Sequence, residues 1–568
     1  MNAQPRKQEP QPQGITRWRF ALVLGVFAVL LLAVLVRLVM LHTVEQPFLF
    51  EQGEKRTVRT EVQPAMRGMI TDRFGKPLAV STPVVNLWLN PQQVNVQQLP
   101  VIAADLGMNV RELVRRTERA AASGRSFLYL RRQVEPALAQ QVLDRRVAGV
   151  YGEDDFRRFY PAAEVTAHTL GIVNIDGRGQ EGLELAYDAY LQGKPGSRQV
   201  VKDLYGNVIK QLQVREVAQP GGDLQLTIDL RLQYLAYREL KAAVNQHKAS
   251  SGSAVLLDAR SGDVLALVSQ PSYNPNNRAA LRPEHMRNRA VADLIEPGST
   301  IKPFTVAAAL MSGRYSPGTE VNTAPGFMRI RNKTIRDHRN LGMINMGTLL
   351  QKSSNVASTK IALSLPPDAI TNMQKQFGFG KKTPLQFPGE GSGLVVTPKE
   401  KETSRRATVS YGYGLQVTLA QVAQAYSALA AGGVMHPLTL IKDDKPQPSK
   451  RIMAHEQAMS IVQMMESVTE PGGTAKGAAI DGYRVAGKTG TSRRINPKGG
   501  YYTDQYRNVF AGMAPASNPR LVGVMLIEDP RAQIYAGLTV APVFHNVMKE
   551  ALRLYNVPLD KPLKTEEP

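Results

Sequence analysis

Pro297-Gly298-Ser299-Thr300-Ile301-Lys302-Pro303 decides how this chain is read. Pro297-Gly298 ends whatever precedes it. Pro303 has no N–H to donate and fits a helix only in its first turn, so a helix begins close to Ser299. Lys302 then lies one turn along on the same face. Serine is a poor nucleophile at neutral pH, and a lysine so placed is a base within reach, useful if burial and a second cation lower its pKa. The free N–H groups of a helix start and the positive end of its dipole favour a serine alkoxide and an oxyanion alike.

Two further motifs follow in order. Ser353-Ser354-Asn355 falls in a helical stretch, and Lys488-Thr489-Gly490-Thr491 opens a strand-like run. Ser353 offers a hydroxyl able to relay a proton, and Asn355 an amide able to orient Lys302 or bind a substrate peptide group. Lys488 is the natural second cation. Along the strand, Lys488 and Thr489 can bind a carboxylate, Gly490 removes bulk, and the open edge through Thr491 can pair with an extended peptide. Ser299, Lys302, Ser353, Asn355 and Lys488 are thus the candidate catalytic residues. Lys488, Thr489, Gly490 and Thr491 are the candidate substrate-binding residues, and a peptide ending in a free carboxylate is the substrate they predict. A lysine-based mechanism needs no metal and no cofactor. The 8 histidines include no His-Glu-x-x-His, and His338 reads as a loop residue. Tyr501, Tyr502 and Phe510 stand close after the third motif and read equally well as cleft wall or as ordinary core and surface.

Working outward, Asp229 to Lys248 carries Leu232, Leu235, Ala236, Leu240 and Val244 at helical spacing, and Ser253–Leu257 with Val264–Ser269 reads as a hairpin around Ser261-Gly262-Asp263. Residues 303 to 429 read as largely helical. Strands return at 484–486, 509–513 and 521–527, before a last helix from Ala541 to Tyr555. Segregated helix and strand give an α+β class. Gln219-Pro220-Gly221-Gly222-Asp223 punctuates the chain, so a domain boundary is expected near 220. Residues 221–556 then form the domain that holds the motifs, and 42–220 a mixed pedestal. In the pedestal, Arg67 to Gly75 reads as a strand running into a turn and Pro100 to Ala122 as helical. Glu153-Asp154-Asp155 is expected to be a solvated acidic turn, and Gly389 to Gly393 a flexible loop.

Phe20 to Val36 is unbroken apolar sequence that continues past Arg37 to Leu41, which predicts a transmembrane helix over 20–41. Arg6, Lys7, Arg17 and Arg19 precede it, so residues 1–19 are expected in the cytoplasm and everything beyond the span outside. The bulky Val39 to Val44 offers no small-residue cleavage site, so an uncleaved anchor is expected. Residues 1–14 and Lys561 to Pro568 have too little apolar content to pack, so residues 1–14 and the tail segment 557–568 are expected to be disordered. The chain of 568 residues has no cysteine, excluding disulfides, thiolate nucleophiles and cysteine-zinc sites, and its net charge of +22 is scattered. An exported domain meets anionic lipid headgroups rather than nucleic acid.

Glu296 to Pro303, Ser353-Ser354-Asn355-Val356-Ala357 and Lys488 to Thr491 resemble, in order and spacing, the three motifs of class B penicillin-binding proteins. Arg67-Gly68-Met69-Ile70-Thr71-Asp72-Arg73 and Glu181-Gly182-Leu183-Glu184 resemble that family's pedestal motifs. The resemblance covers nearly the whole length, and no glycosyltransferase-sized module precedes the pedestal, which disfavours a bifunctional class A enzyme. Asn355, where the elongation-type relative usually has Asp, leans toward the division-type branch.

The resemblance implies a transpeptidase domain with an antiparallel sheet flanked by helices plus an all-helical subdomain. It implies a peptidoglycan D,D-transpeptidase acting in septal wall synthesis. Ser299 would attack the penultimate D-alanine carbonyl of a stem peptide, and terminal D-alanine would leave. An amine of a neighbouring stem would resolve the acyl-enzyme. The N–H groups of Ser299 and Thr491 would form the oxyanion hole, and β-lactams would acylate the same serine. Implied partners are stem peptides on lipid-linked precursor strands, the inner membrane, and division proteins including a membrane-embedded glycan polymerase that recognises the transmembrane helix. An elongation-type transpeptidase, a serine β-lactamase and a β-lactam sensor are the alternatives. A β-lactamase needs neither anchor nor pedestal, and a sensor would carry several membrane spans.

Overall fold

The fold, taken from a computed structural model, is described for residues 17–49, 51, 58–202, 208–331, 333–443 and 448–563. The expected disorder of residues 1–14 and 564–568 falls outside them. Met1–Pro64, Val85–Asp154 and Pro195–Ala218 cluster as one compact unit, and Ala65–Val84, Asp155–Lys194 and Gln219–Pro568 as a second.

In the first unit the apolar run forms a single helix, Arg17–Thr43, with a mean hydropathy of 3.0 over its most apolar window and no buried residue. At 1.5 Å per residue it is about 40 Å long, enough to cross a hydrocarbon core of about 30 Å. Arg37, the one charge inside the run, pairs with Glu45 at 2.6 Å. Val58–Gln63, Gly196–Lys202 and Val208–Glu216 form a three-stranded antiparallel sheet with Gly196–Lys202 in the centre. A separate core gathers Leu87, Leu89, Leu99, Ile102, Leu113, Leu130 and Val142. The helix expected over 100–122 is two helices, Leu99–Asp105 and Val110–Ala122, because Gly107 turns at φ +60° and Asn109 caps the second through Glu112 N–H at 3.1 Å. The acidic Glu153-Asp154-Asp155 is no turn: it lies within the strand Val150–Phe159, which pairs with Pro77–Leu89.

In the second unit, five strands make an antiparallel sheet: β1 (Ser251–Asp258), β2 (Val264–Gln270), β3 (Ala486–Ile495), β4 (Tyr501–Ala514) and β5 (Leu521–Glu528), in spatial order β2-β1-β5-β4-β3. Every residue of β1, β2 and β5 is buried, so the sheet is covered on both faces. Helices Leu230–Gln246 and Ala541–Leu554 pack against each other and the sheet, and the wholly buried Leu419–Ala430 also lies on it. Residues 302–430 are helical with short two-stranded ribbons between. Arg67 and Arg158 both clamp the fully buried Glu184, Nε to carboxylate at 2.7 and 2.6 Å, and Arg67 also reaches Asp188 at 2.7 Å. Val557–Leu563, expected to be disordered, is fastened instead. Tyr483 OH donates to Val557 O at 2.7 Å, and Asp560 accepts from Arg484 N at 2.7 Å and Ser517 Oγ at 2.6 Å.

Candidate active site

Gly298–Ile301 is one turn of 3-10 helix running into the helix Lys302–Met311, with Pro303 in its first turn. Ser299 is half-buried and Lys302 fully buried. This segment cannot drift. Gly298 N–H donates to Gly412 O at 3.1 Å, and a Cβ on Gly412 would stand 1.9 Å from Gly298 O. Deeper in, Phe304 packs among Phe377, Phe379 and Tyr426 at ring distances of 4.8, 5.1 and 5.6 Å, and Tyr426 OH donates to Thr300 O at 2.8 Å.

Ser299, Ser353 and Asn355 converge on one nitrogen. Lys302 Nζ lies 3.1 Å from Ser299 Oγ, 3.1 Å from Ser353 Oγ, 2.6 Å from Ser353 O and 2.8 Å from Asn355 Oδ1. The two carbonyl oxygens can only accept, so in a neutral amine they take both N–H groups, and the lone pair is left facing the two hydroxyls. That is the orientation a proton acceptor for Ser299 requires. Ser353 reaches this position because it sits in the left-handed region, φ 60° and ψ 44°, at the end of the helix Met346–Lys352. A non-glycine residue there costs about 1–3 kcal/mol, and the turn aims both its carbonyl and its hydroxyl at Lys302.

Burial first, and the charge of Lys488 second, push the Lys302 ammonium well below its ordinary pKa, against a smaller opposing pull from Asp337. Asp337 escaped the sequence reading. Its carboxylate accepts from Ser354 Oγ at 2.6 Å, Asn355 N at 2.6 Å and Val356 N at 3.0 Å, capping the helix Asn355–Ser364. Asn355 Nδ2 donates to Arg336 O at 3.1 Å. An acid just before a helical run hints at a cap, but this one comes from a loop 18 residues upstream. Neighbouring His338 is exposed in a bend, as expected.

The third motif opens β3, the outermost strand, whose free edge has no strand beside it among the described residues. Lys488 is fully buried, donates to Thr489 O at 3.2 Å, and is pushed down to about 7 by burial. It makes no hydrogen bond to Ser299, Lys302 or Ser353 among the described residues and acts on Lys302 through its charge. Thr489 Oγ1 meets Thr474 Oγ1 at 2.8 Å, and Thr491 Oγ1 accepts from Ala536 N at 3.3 Å. A Cβ on Gly490 would stand 2.6 Å from Pro297 O, so only glycine lets this strand lie against the serine turn. The next residue ties the two together again, Ser492 Oγ donating to Glu296 O at 3.0 Å.

Glu296, named in the sequence only as the first residue of a motif, has a role of its own. It is buried, and its Oε1 accepts from Gly414 N at 2.7 Å and Tyr501 OH at 3.1 Å; burial pushes its carboxyl up. Tyr501 therefore belongs near the site. Phe510 does not: it is fully buried against Phe544 at 4.8 Å. Tyr502 is half-buried and makes no site contact among the described residues.

Residues 252–549 match the penicillin binding protein transpeptidase domain, and residues 62–226 the penicillin-binding protein dimerisation domain. The chain is 41% identical over 564 residues, 98% of its length and 95% of the relative's, to peptidoglycan D,D-transpeptidase FtsI of Escherichia coli K12. It is 41% identical over 547 residues, 96% of each chain, to the probable peptidoglycan D,D-transpeptidase PbpC of Pseudomonas aeruginosa. The crystal structure of penicillin binding protein 3 from Mycobacterium tuberculosis, complexed with aztreonam, superposes with a TM-score of 0.69 at 28% identity, over 89% of this chain and 99% of that one.

Proposed function

This chain belongs to the class B penicillin-binding proteins, and from that premise we infer that it is a peptidoglycan D,D-transpeptidase, crosslinking stem peptides through an acyl-enzyme on Ser299 and bound by β-lactams. Lys302 takes the Ser299 proton as Oγ attacks the penultimate D-alanine carbonyl. The N–H groups of Ser299 and Thr491 receive the oxyanion. Ser353 passes the proton to the departing D-alanine amine, and Lys488 with Thr489 and Thr491 holds that residue's carboxylate while Gly490 keeps the strand close. An amine of a second stem then attacks the ester, gives its proton back through Lys302, and frees Ser299. Asn355 keeps the Lys302 amine turned toward the hydroxyls.

The observation that carries this reading is the Lys302 nitrogen, 3.1 Å from Ser299 Oγ, fully buried, with two carbonyls on its hydrogens. The apolar helix Arg17–Thr43 makes the protein membrane-anchored. The proposed placement is a single pass in the inner membrane, N-terminus cytoplasmic and catalytic domain periplasmic. The proposed setting is the septum, with division proteins as partners and a membrane-embedded glycan polymerase meeting the helix.

The test is intact-protein mass of the full chain in detergent after exposure to a β-lactam, wild type against Ser299→Ala, followed over time. A long-lived adduct that vanishes in the variant supports the reading. A rapidly cleared adduct favours a hydrolase, and no adduct on folded wild type refutes it.

A further inference from the structure

Beside the serine turn lies an open cavity of about 640 Å³ that none of the three motifs lines. One wall is the hairpin of Phe327–Ile330 with Lys333–Arg336, which packs through Ile330 and Ile335 onto Ala407 and Tyr411. The other walls are the helix Thr403–Val409 and the tyrosines Tyr411, Tyr413 and Tyr501, whose rings meet edge to face at 5.9 and 5.8 Å.

Three cations, Arg331, Lys333 and Arg405, line this space against one carboxylate, Glu402. Glu402 is already committed, accepting from Lys399 N at 2.8 Å and pairing with Arg405 at 3.3 Å. Arg331 is steadied by donating to Lys401 O at 2.9 Å. Lys333 has no ion pair among the described residues, and its charge reaches Glu296, weakly opposing the upward push that burial gives that carboxyl. The cavity therefore carries uncompensated positive charge, beside aromatic rings suited to the aliphatic part of a side chain.

Both walls run straight into the reactive centre. Gly414, on the lining, donates to Glu296, three residues before Ser299, and Gly412 O receives Gly298 N–H. The hairpin strand Lys333–Arg336 leads directly into Asp337, which caps the Asn355 helix. A ligand here would bear on both segments that position the nucleophile and its base.

We propose that this cavity is a recognition subsite for a second carboxylate of the peptidoglycan peptide, distinct from the one held along Lys488–Thr491. The assignment rests on the transpeptidase reading above and deepens it. Lys333, with Arg331 and the Glu402-paired Arg405, supplies the charge, and the tyrosine wall supplies contact. The carboxylate comes either from the acyl-donor stem or from the incoming amine-bearing stem.

The test uses the full chain in detergent with two pairs of synthetic peptides. One pair is an acyl donor ending in D-alanyl-D-alanine with an internal acidic side chain, as carboxylate and as amide. The other is an amine acceptor with an adjacent carboxylate, again with its amide. Wild type should lose about fivefold in kcat/KM on amidation within one pair, mostly through KM, the size expected of partly screened charge pairs. Lys333→Gln/Arg405→Gln should handle carboxylate and amide alike, and Lys333→Glu should prefer the amide.

Which pair responds tells donor from acceptor. Equal rates for carboxylate and amide in both pairs of wild type, or a preference that persists unchanged in the double variant, overturns the subsite. The β-lactam adduct on Ser299, measured in the same preparations, should form within about twofold in all variants. An intact adduct without discrimination overturns the subsite alone, whereas no adduct in wild type overturns the transpeptidase reading and the subsite with it.

Discussion

Asp337→Asn isolates how the second motif is held. In the wild type one carboxylate serves three donors, two backbone N–H groups of the Asn355 helix and the Ser354 hydroxyl. The asparagine oxygen can still face Asn355 N and Val356 N, but each bond falls from charge-assisted to neutral, a loss of about 1 kcal/mol apiece. Its amide hydrogens then meet Ser354 Oγ, which turns from donor to acceptor, so that contact inverts rather than disappears. Losing a negative charge at a helix start adds about 0.5 kcal/mol, for a total of about 2–3 kcal/mol and a fall in Tm of roughly 3–5 °C. The charge effect has a separate sign. Asp337 holds the Lys302 pKa up against burial and Lys488, so its neutralisation lowers that pKa further and leaves Lys302 neutral to lower pH. The acid limb of β-lactam acylation, measured as the second-order rate against pH, should shift downward. An acid limb that stays put or moves upward while Tm falls would refute the argument that Lys302 is the base whose charge Asp337 senses.

Three further outcomes follow from the same geometry. Gly490→Ala should cost about 1–3 kcal/mol and slow acylation, since its Cβ would stand 2.6 Å from Pro297 O and push the strand off the serine turn; Tm and adduct rate read it. Glu184→Gln should cost about 3 kcal/mol in denaturant unfolding, because Arg67 and Arg158 are left as buried charges with one carboxylate fewer, while the adduct still forms at low temperature. Burial holds Lys488 down to about 7, so its charge is lost as pH rises through that value, and kcat/KM for carboxylate-terminated peptides should fall above it. An analogue lacking the terminal carboxylate should show no such fall.

What could be read from the chain was what is local. Pro303 marks the helix start behind Ser299, Asp229 caps the helix Leu230–Gln246, and the hairpin at Ser261-Gly262-Asp263 forms where its turn residues stand. The motifs announce themselves because each packs several functions into three or four consecutive residues. Pairings between distant segments carry no such mark. Nothing near Ser253 tells that β1 lies beside β5, Leu521 against Asp258, and that the third motif therefore becomes the outermost strand. The roles of Asp337 and Glu296 were missed for the same reason: an acid in a loop and an acid before a proline look like solvated surface until the fold buries or caps with them. The tail misled differently. Val557 packs against the main core, and its anchoring, like that of Asp560, depends on groups 43 to 76 residues away.

An unpaired strand edge is ordinarily a hazard, since any extended chain, including a second copy of the same strand, can zip onto it. The usual safeguards are a proline, a bulge or a lysine pointing outward, and β3 can use none of them where a substrate must lie flush. Its first five residues, Ala486 to Gly490, are instead sunk beneath the surface. A folded neighbour is too broad to reach them, whereas a single flexible peptide is thin enough. The depth of the strand thus guards against self-association and selects for an unfolded partner by the same means, and mutations that widen the cleft should reveal themselves first as precipitation.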